Sequence, residues 1–507
     1  MSILGLLYWL SRLIAIAAII HVVLDNRQPA KTMAWALVIY FLPLIGVIAY
    51  IFFGLNTRKE RQVSRRSMDQ LTKRSMLEFA SQQGLALPVA QRPVIDLFVN
   101  QSFSLPFNNN KVEALCSGYE FFPSLLRDIA QAKSHIHVDI YIFADDALGR
   151  LVADALIAKA RQGVEVRVIY DDVGCWSVKD CFFEQMREEG IEVEPFMPVR
   201  FPSFARRANY RNHRKIIVVD GRVGYIGGMN IALRYVQGIG KRKVEGGKRK
   251  VEGLPWRDTM LRIEGRGVYA LQRAFLIDWY FIDRTLLSDR KYYPTISDSQ
   301  LPTSPSPQLT TSPSPNLPTS STAHLPLLQV VTSSPNAEEP EIMQGYVRII
   351  MAARKYVYIE TPYFLPTTAV FYALKMAAQS GVDVRVLVPR KSDARFTEWA
   401  SRSYLREAED AGVTISLYDA GFLHSKLLVC DDEICSCGST NIDFRSFENN
   451  FEANAFIYGA DMAQQMKQIF LDDERHSVRL SALTELMRPR FQTRLVESFA
   501  RLFSPLL

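Results

Sequence analysis

Two short stretches of this sequence combine an imidazole, an ammonium group and a carboxylate at one spacing. His213-Arg214-Lys215 is followed, after four intervening residues, by Asp220, and His424-Ser425-Lys426 by Asp431. Each copy then meets a small-residue turn that ends in an amide. The first turn is Gly227-Gly228-Met229-Asn230 and the second Gly438-Ser439-Thr440-Asn441. The chain has seven histidines in 507 residues, so two in matched settings argue for a paired site. Displacement at a phosphodiester needs a nucleophile on one side of phosphorus and a proton donor on the other. A neutral imidazole can attack and form a phosphohistidine, dividing one difficult displacement into two. A second, protonated imidazole can donate to the departing alkoxide and then deprotonate the incoming alcohol.

That chemistry requires the two rings in opposite protonation states, with a carboxylate on the far ring nitrogen to fix the tautomer. Glu452, in Asn450-Phe451-Glu452, is the expected partner of His424, and Asp258, in Trp256-Arg257-Asp258, that of His213. Lys215, Lys426, Asn230 and Asn441 are the candidate donors to the non-bridging oxygens, where charge develops. Asp220 and Asp431 complete the motif, but they stand at the ends of apolar strands and before turns. That placement suits bracing the backbone rather than touching substrate. With so many fixed donors, neither a metal nor another cofactor is expected. The remaining histidines (His21, His135, His137, His324, His476) lack partners that would make a site. Six cysteines show neither zinc spacing nor a paired framework and read as reduced thiols.

The elements that carry the motif also recur. Ala132-Lys133-Ser134-His135-Ile136-His137-Val138-Asp139-Ile140-Tyr141 parallels Ala353-Arg354-Lys355-Tyr356-Val357-Tyr358-Ile359-Glu360. Gly163 to Val168 parallels Gly381 to Val386, and Gly190 to Val193 parallels Gly412 to Ile415. Alternating strands that begin after glycine, separated by helical stretches, predict an α/β protein of mixed sheets covered by helices. Two equivalent halves facing each other would bring both histidine motifs to one cleft.

Ahead of these halves, Ile3 to Leu24 and Met33 to Phe53 are nearly continuous apolar sequence. Each is about long enough to cross ~30 Å of hydrocarbon, which predicts a transmembrane hairpin. Arg12 is the blemish, expected to reach back toward the near headgroups. Arg58, Lys59, Arg61, Arg65 and Arg66 follow the second stretch, against Arg27 and Lys31 between the two. This bias places both hairpin ends and the large domain on the cytoplasmic side, against anionic lipid. The net charge of +7 is concentrated, because residues 241–252 hold six basic side chains and two acidic ones. That is too local for a nucleic-acid track, so no nucleic-acid partner is expected. The basic stretch is a perfect tandem, Gly240 to Gly246 repeated as Gly247 to Gly253. It reads as a solvated loop, with a cationic fringe contacting anionic lipid as the alternative.

The duplicated His-x-Lys pattern with its aspartate and asparagine tail resembles the phospholipase D superfamily. Within it the chain is most similar to bacterial cardiolipin synthases, in Asn209 to Lys215, Ile226 to Ile231, Trp256-Arg257-Asp258, Thr361 to Pro366, Gly421 to His424 and Asp443 to Glu452. The resemblance implies two pseudo-symmetric phospholipase D-like domains with one shared active site. It implies a bacterial inner-membrane, multi-pass enzyme that joins two phosphatidylglycerol molecules and releases glycerol through a covalent phosphatidyl-histidine. His213 is then the nucleophile and His424 the acid, with the reverse assignment, which pseudo-symmetry allows, as the alternative. Hydrolysis to phosphatidic acid by the same residues is the alternative. Asp139 stands where glutamate is common in the family. The expected domains are a hairpin (1–56), a juxtamembrane linker (57–100), a first catalytic half (101–292), a disordered Pro/Ser/Thr-rich insertion (293–340) and a second half (341–507).

Overall fold

The computed structural model describes residues 3–25, 29–54, 65–80, 82, 85, 87–199, 210–245, 248–296, 325–337 and 339–506. Arg58, Lys59 and Arg61 of the basic collar, His324, and residues 297–324 of the Pro/Ser/Thr-rich segment lie outside them.

Two mixed sheets form the body. The first has seven strands in the order Asn110–Leu115, Met260–Gly265, Val223–Gly227, Lys215–Val219, His135–Ile140, Glu165–Asp171 and Glu192–Phe196. The second repeats that plan with Leu327–Ser333, Glu452–Tyr458, Ile434–Gly438, Leu427–Cys430, Tyr356–Glu360, Asp383–Pro389 and Thr414–Tyr418, and adds Ser477–Arg479 at its edge. In both, a central strand pairs in parallel with one neighbour and antiparallel with the strand that follows the histidine. Lys-Ile-Ile-Val-Val and Leu-Leu-Val-Cys, the two post-histidine strands, are buried throughout. Unbroken apolar strands of this kind belong between two covered faces.

Those covers are shared. Ile216, Val218 and Ile226 of the first sheet, and Leu427, Val429, Cys435 and Cys437 of the second, belong to one core. The helix Val268–Asp283 and the helix Ala460–Arg475 complete it. Each sheet has a separate core on its outer face. The two halves are therefore held together by apolar burial, the dominant favourable term in association.

Three boundaries differ from expectation. Leu327–Ser333, inside the segment expected to be disordered, pairs with Glu452–Tyr458 across seven residues, because Leu327, Val330 and Val331 have a core to enter. The expected linker contains the helix Arg65–Ala80 and the helix Arg92–Ser102. The latter is fixed to the second half, where the Phe98 and Phe456 rings lie 4.5 Å apart. The tandem repeat forms an antiparallel strand pair, Ile239–Glu245 with Lys248–Leu254, rather than a loop.

At the N-terminus one helix covers Ile3–Asp25, and the second apolar stretch is split into Pro29–Phe41 and Pro43–Phe53. Proline at 43 lacks the N–H that would continue the preceding helix. Among the described residues no helix is long and apolar enough to cross a membrane. Arg12 donates to the Tyr40 carbonyl at 2.9 Å, so it ties the first helix to the next.

Candidate active site

Each histidine stands two or three residues before a buried strand, on a segment that leaves its own half to pair with the other. His213 N–H donates to Phe451 O at 2.9 Å, and Phe451 N–H to Arg211 O at 2.9 Å. His424 N–H donates to Arg257 O at 2.7 Å, and Phe422 N–H to Pro255 O at 2.7 Å. Both contacts are parallel, and each delivers a histidine beside a carboxylate of the opposite half.

The pairing expected from sequence is therefore exchanged. His213 Nδ1 lies 3.0 and 3.1 Å from the two Glu452 oxygens, and His424 Nδ1 lies 2.8 Å from Asp258 Oδ2. Glu452 does not serve His424, nor Asp258 His213. The structure brings all four residues together, but only by crossing the interface between the halves.

The two small-residue turns explain how carboxylates of different length fit. Ser439 donates its hydroxyl to Glu452, and Asn450 Nδ2 donates to the same carboxylate at 3.2 Å. At the matching position Gly228 has no side chain, because a Cβ there would sit 2.0 Å from Asp258 Oδ1. Asp258 instead accepts from the Thr259 N–H at 2.8 Å and from Trp256 Nε1 at 3.4 Å. Sequence reasoning missed Ser439. The signal was present in the Gly-Gly and Gly-Ser difference between the copies.

Burial governs protonation. Both carboxylates are fully buried, yet neighbouring cations hold them below the usual carboxylate range. For Asp258 these are Lys426 and, when protonated, His424; for Glu452 they are His213, when protonated, and Lys215. Desolvation lowers His213, partly offset by Glu452, and lowers His424 to about 3, with Lys426 adding to the fall. Burial thus disfavours the imidazolium form at both rings, against the pull of the carboxylate beside each. Each ring also feels the other motif's lysine, which places both motifs in one electrostatic site. Burial lowers Lys215 to about 7 and Lys426 to about 8.

Lys215 Nζ donates to the His213 carbonyl at 2.7 Å, and Lys426 to that of His424. Lys426 Nζ also lies 2.8 Å from His424 Nδ1, whereas His213 Nδ1 faces both oxygens of Glu452. Asn230 is more committed than expected. Its Oδ1 accepts from the Ile142 N–H at 3.0 Å, and its Nδ2 donates to the Tyr235 hydroxyl at 2.5 Å. Asn441 bonds to Asp443 and is buried. Asp220 accepts the N–H groups of Lys133, Ser134 and His135, and Asp431 those of Arg354, Lys355 and Tyr356. Their carboxylates are strand braces. Tyr141 and Trp256, whose rings lie 5.1 Å from His213 and 5.0 Å from His424, wall the site and were not singled out from sequence.

Residues 125–239 and 346–474 match the family model described as "Cardiolipin synthase, PLD-like domain", and residues 13–54 match "Phospholipase_D-nuclease N-terminal". The cardiolipin synthase of Geobacillus kaustophilus (strain HTA426) is 37% identical over 96% of this chain and 90% of its own. The chain belongs to the cardiolipin synthase family. The major cardiolipin synthase of Bacillus subtilis (strain 168) is 34% identical over 97% of this chain and 96% of its own. Among solved structures, a phosphatidylserine synthase of Haemophilus influenzae aligns with a TM-score of 0.58 at 16% identity, covering 82% of this chain and 100% of its own. That match is one of fold. The family match spans both sheets, and each matched block contains one of the two crossed histidines.

Proposed function

We propose that this site makes cardiolipin by transferring a phosphatidyl group from one phosphatidylglycerol to another through His213. The carrying observation is the crossed pairing of each imidazole with a buried carboxylate of the other half. With its Nδ1–H held by Glu452, His213 presents the Nε2 lone pair as nucleophile. Nε2 forms a bond to phosphorus as the bond from phosphorus to the glycerol oxygen breaks. His424 Nε2–H gives its proton to that oxygen, and Asp258 steadies the ring. His424 then takes the proton of the second lipid's glycerol hydroxyl, whose oxygen attacks phosphorus and releases His213. An anionic phosphodiester between the rings favours the imidazolium that burial disfavours. Lys215 and Lys426 neutralise the non-bridging oxygens, with the remaining amide hydrogen of Asn230 and the amide of Asn441 as further donors.

The N-terminal helices fit a membrane-embedded enzyme. Leu6, Trp9, Leu13, Leu24, Phe41 and Ile45 are all more than half exposed, and an apolar surface of that kind calls for a cover. Lipid would supply it and would place a phosphodiester within reach. The basic collar then favours the cytoplasmic side.

The test uses the full chain on phosphatidylglycerol vesicles with chelator present. Cardiolipin and glycerol should form in equal amounts, and His213→Ala and His424→Ala should each abolish turnover. Phosphatidic acid as the main product would replace transfer with hydrolysis.

A further inference from the structure

The helix Phe491–Arg501 is amphipathic, and its faces are reversed relative to a helix of a globular domain. Phe491, Leu495 and Phe499 recur every four residues, and Leu502 continues the stripe. Such a stripe ordinarily turns to the core. Here Phe491 is 80% exposed, Leu495 60%, Phe499 58% and Leu502 74%. The buried face carries Glu497, Ala500 and Ser504.

Polar contacts hold the helix in this orientation. Glu497 is paired with Arg406, and Arg501 donates to Glu407 at 2.8 Å and to Ser403 Oγ at 3.1 Å. The Arg501 guanidinium also lies 3.9 Å from the Tyr404 ring. All these partners sit on the helix Arg395–Asp410. Phe396 of that helix extends the apolar patch, with its ring 5.8 Å from Phe503 and Phe503 5.2 Å from Phe499.

Two features say what covers the patch. Arg488, Arg490 and Arg494 are exposed at and before the start of the stripe, so its surroundings are cationic. A second copy of the chain would bring like charges together, whereas an anionic lipid surface complements them. A shallow cleft also lies beside the helix, lined by Tyr363, Leu405, Arg406, Leu480 and Leu486 among others. Arg406 ties it to the helix through Glu497, and the Tyr363 ring stands 6.5 Å from that of His424.

We propose that this helix is a membrane-surface contact. Phe491, Leu495, Phe499 and Leu502 enter the acyl region of an anionic bilayer, and the three arginines meet its headgroups. The cleft, and His424 behind it, is thereby set at the level of the lipid phosphodiesters. The inference rests on the functional reading above for its lipid substrate, and it adds a second contact far in sequence from the N-terminal helices.

The test compares the full chain with its F491S/L495S/F499S variant on phosphatidylglycerol in vesicles and on dihexanoyl phosphatidylglycerol dissolved as monomers. The variant should lose at least ~10-fold on vesicles, through KM rather than kcat, and stay within about twofold on the monomeric lipid. An unchanged melting temperature shows that the fold is intact. Equal loss on both substrates, or none on vesicles, overturns the proposal. So does a detergent-solubilised wild-type dimer that the variant dissociates, because the occupant is then a second copy. If the wild type makes cardiolipin from neither form, the functional reading fails by itself. Photoreactive-acyl phosphatidylglycerol in nanodiscs then decides the contact. Adducts within residues 491–503 support it, and their absence overturns it.

Discussion

Gly228 offers the sharpest test of the crossed pairing, because it stands where the other half has Ser439 and leaves no room for a Cβ beside Asp258. In Gly228→Ala the new Cβ would lie 2.0 Å from Asp258 Oδ1 and 2.7 Å from its Cγ. Ordinary contact needs roughly 3.5 Å, so the carboxylate must retreat by about 1.5 Å. That movement breaks the 2.8 Å bonds from His424 and from the Thr259 N–H together. A charge-assisted bond of this kind is worth ~1.5–3 kcal/mol, and a misplacement of 1 Å costs about 10²-fold in rate. Turnover should therefore fall by ~10²–10³, approaching the ~10⁴ lost where the imidazole adopts the wrong tautomer. The assay is steady-state cardiolipin formation from phosphatidylglycerol by the full chain, with thermal unfolding measured in parallel. Backbone strain adds nothing, since Gly228 has no positive φ. Ser439→Ala removes one hydroxyl donor from Glu452 without a clash and should cost roughly tenfold. Wild-type turnover in folded Gly228→Ala would refute the role assigned to Asp258.

Glu452→Gln keeps the shape of its carboxylate but cannot hold the proton on His213 Nδ1. It should lower kcat by ~10³–10⁴ while leaving vesicle binding intact, and unchanged kcat would remove Glu452 from the mechanism. The lysines set the alkaline limb. Lys215 at about 7 and Lys426 at about 8 lose their charge as pH rises, so kcat/KM should fall across that interval. A bound phosphodiester favours the ammonium form, so kcat should persist to higher pH. A limb first appearing near the ordinary lysine value would contradict this. Because the unfolded chain keeps both lysines protonated to higher pH, their contribution to stability rises with pH from about 7 to the ordinary lysine range. Asp220→Ala or Asp431→Ala strands backbone N–H groups at a cost of ~1–3 kcal/mol for each one left unsatisfied. Alanine also pays for the left-handed backbone at both sites, where φ is 53°. The melting temperature should drop, with turnover per folded molecule retained; loss of turnover at full stability would make these aspartates catalytic.

The amino-acid sequence determined what is local or periodic. The twin His-x-Lys motifs, the strands that follow them and the doubled βα plan follow from residue spacing, and the mixed sheets appear where the alternation put them. Asp220 and Asp431, at positive φ beside buried strands, were legible as braces for the same reason. The sequence could not assign Asp258 and Glu452 to their histidines. Those contacts join residues 166 and 239 positions apart, and each depends on a strand segment crossing to the opposite sheet. Pattern specifies which face of a segment is apolar, but not which half it will dock against. Protonation was likewise decided in three dimensions, because burial lowers the motif lysines toward neutrality and, with Lys426 adding to the fall, His424 far below its ordinary value. The final helix makes the same point from the other side. Its apolar stripe is plain in the sequence, but ion pairs from Glu497 and Arg501 to a neighbouring helix turned that stripe outward.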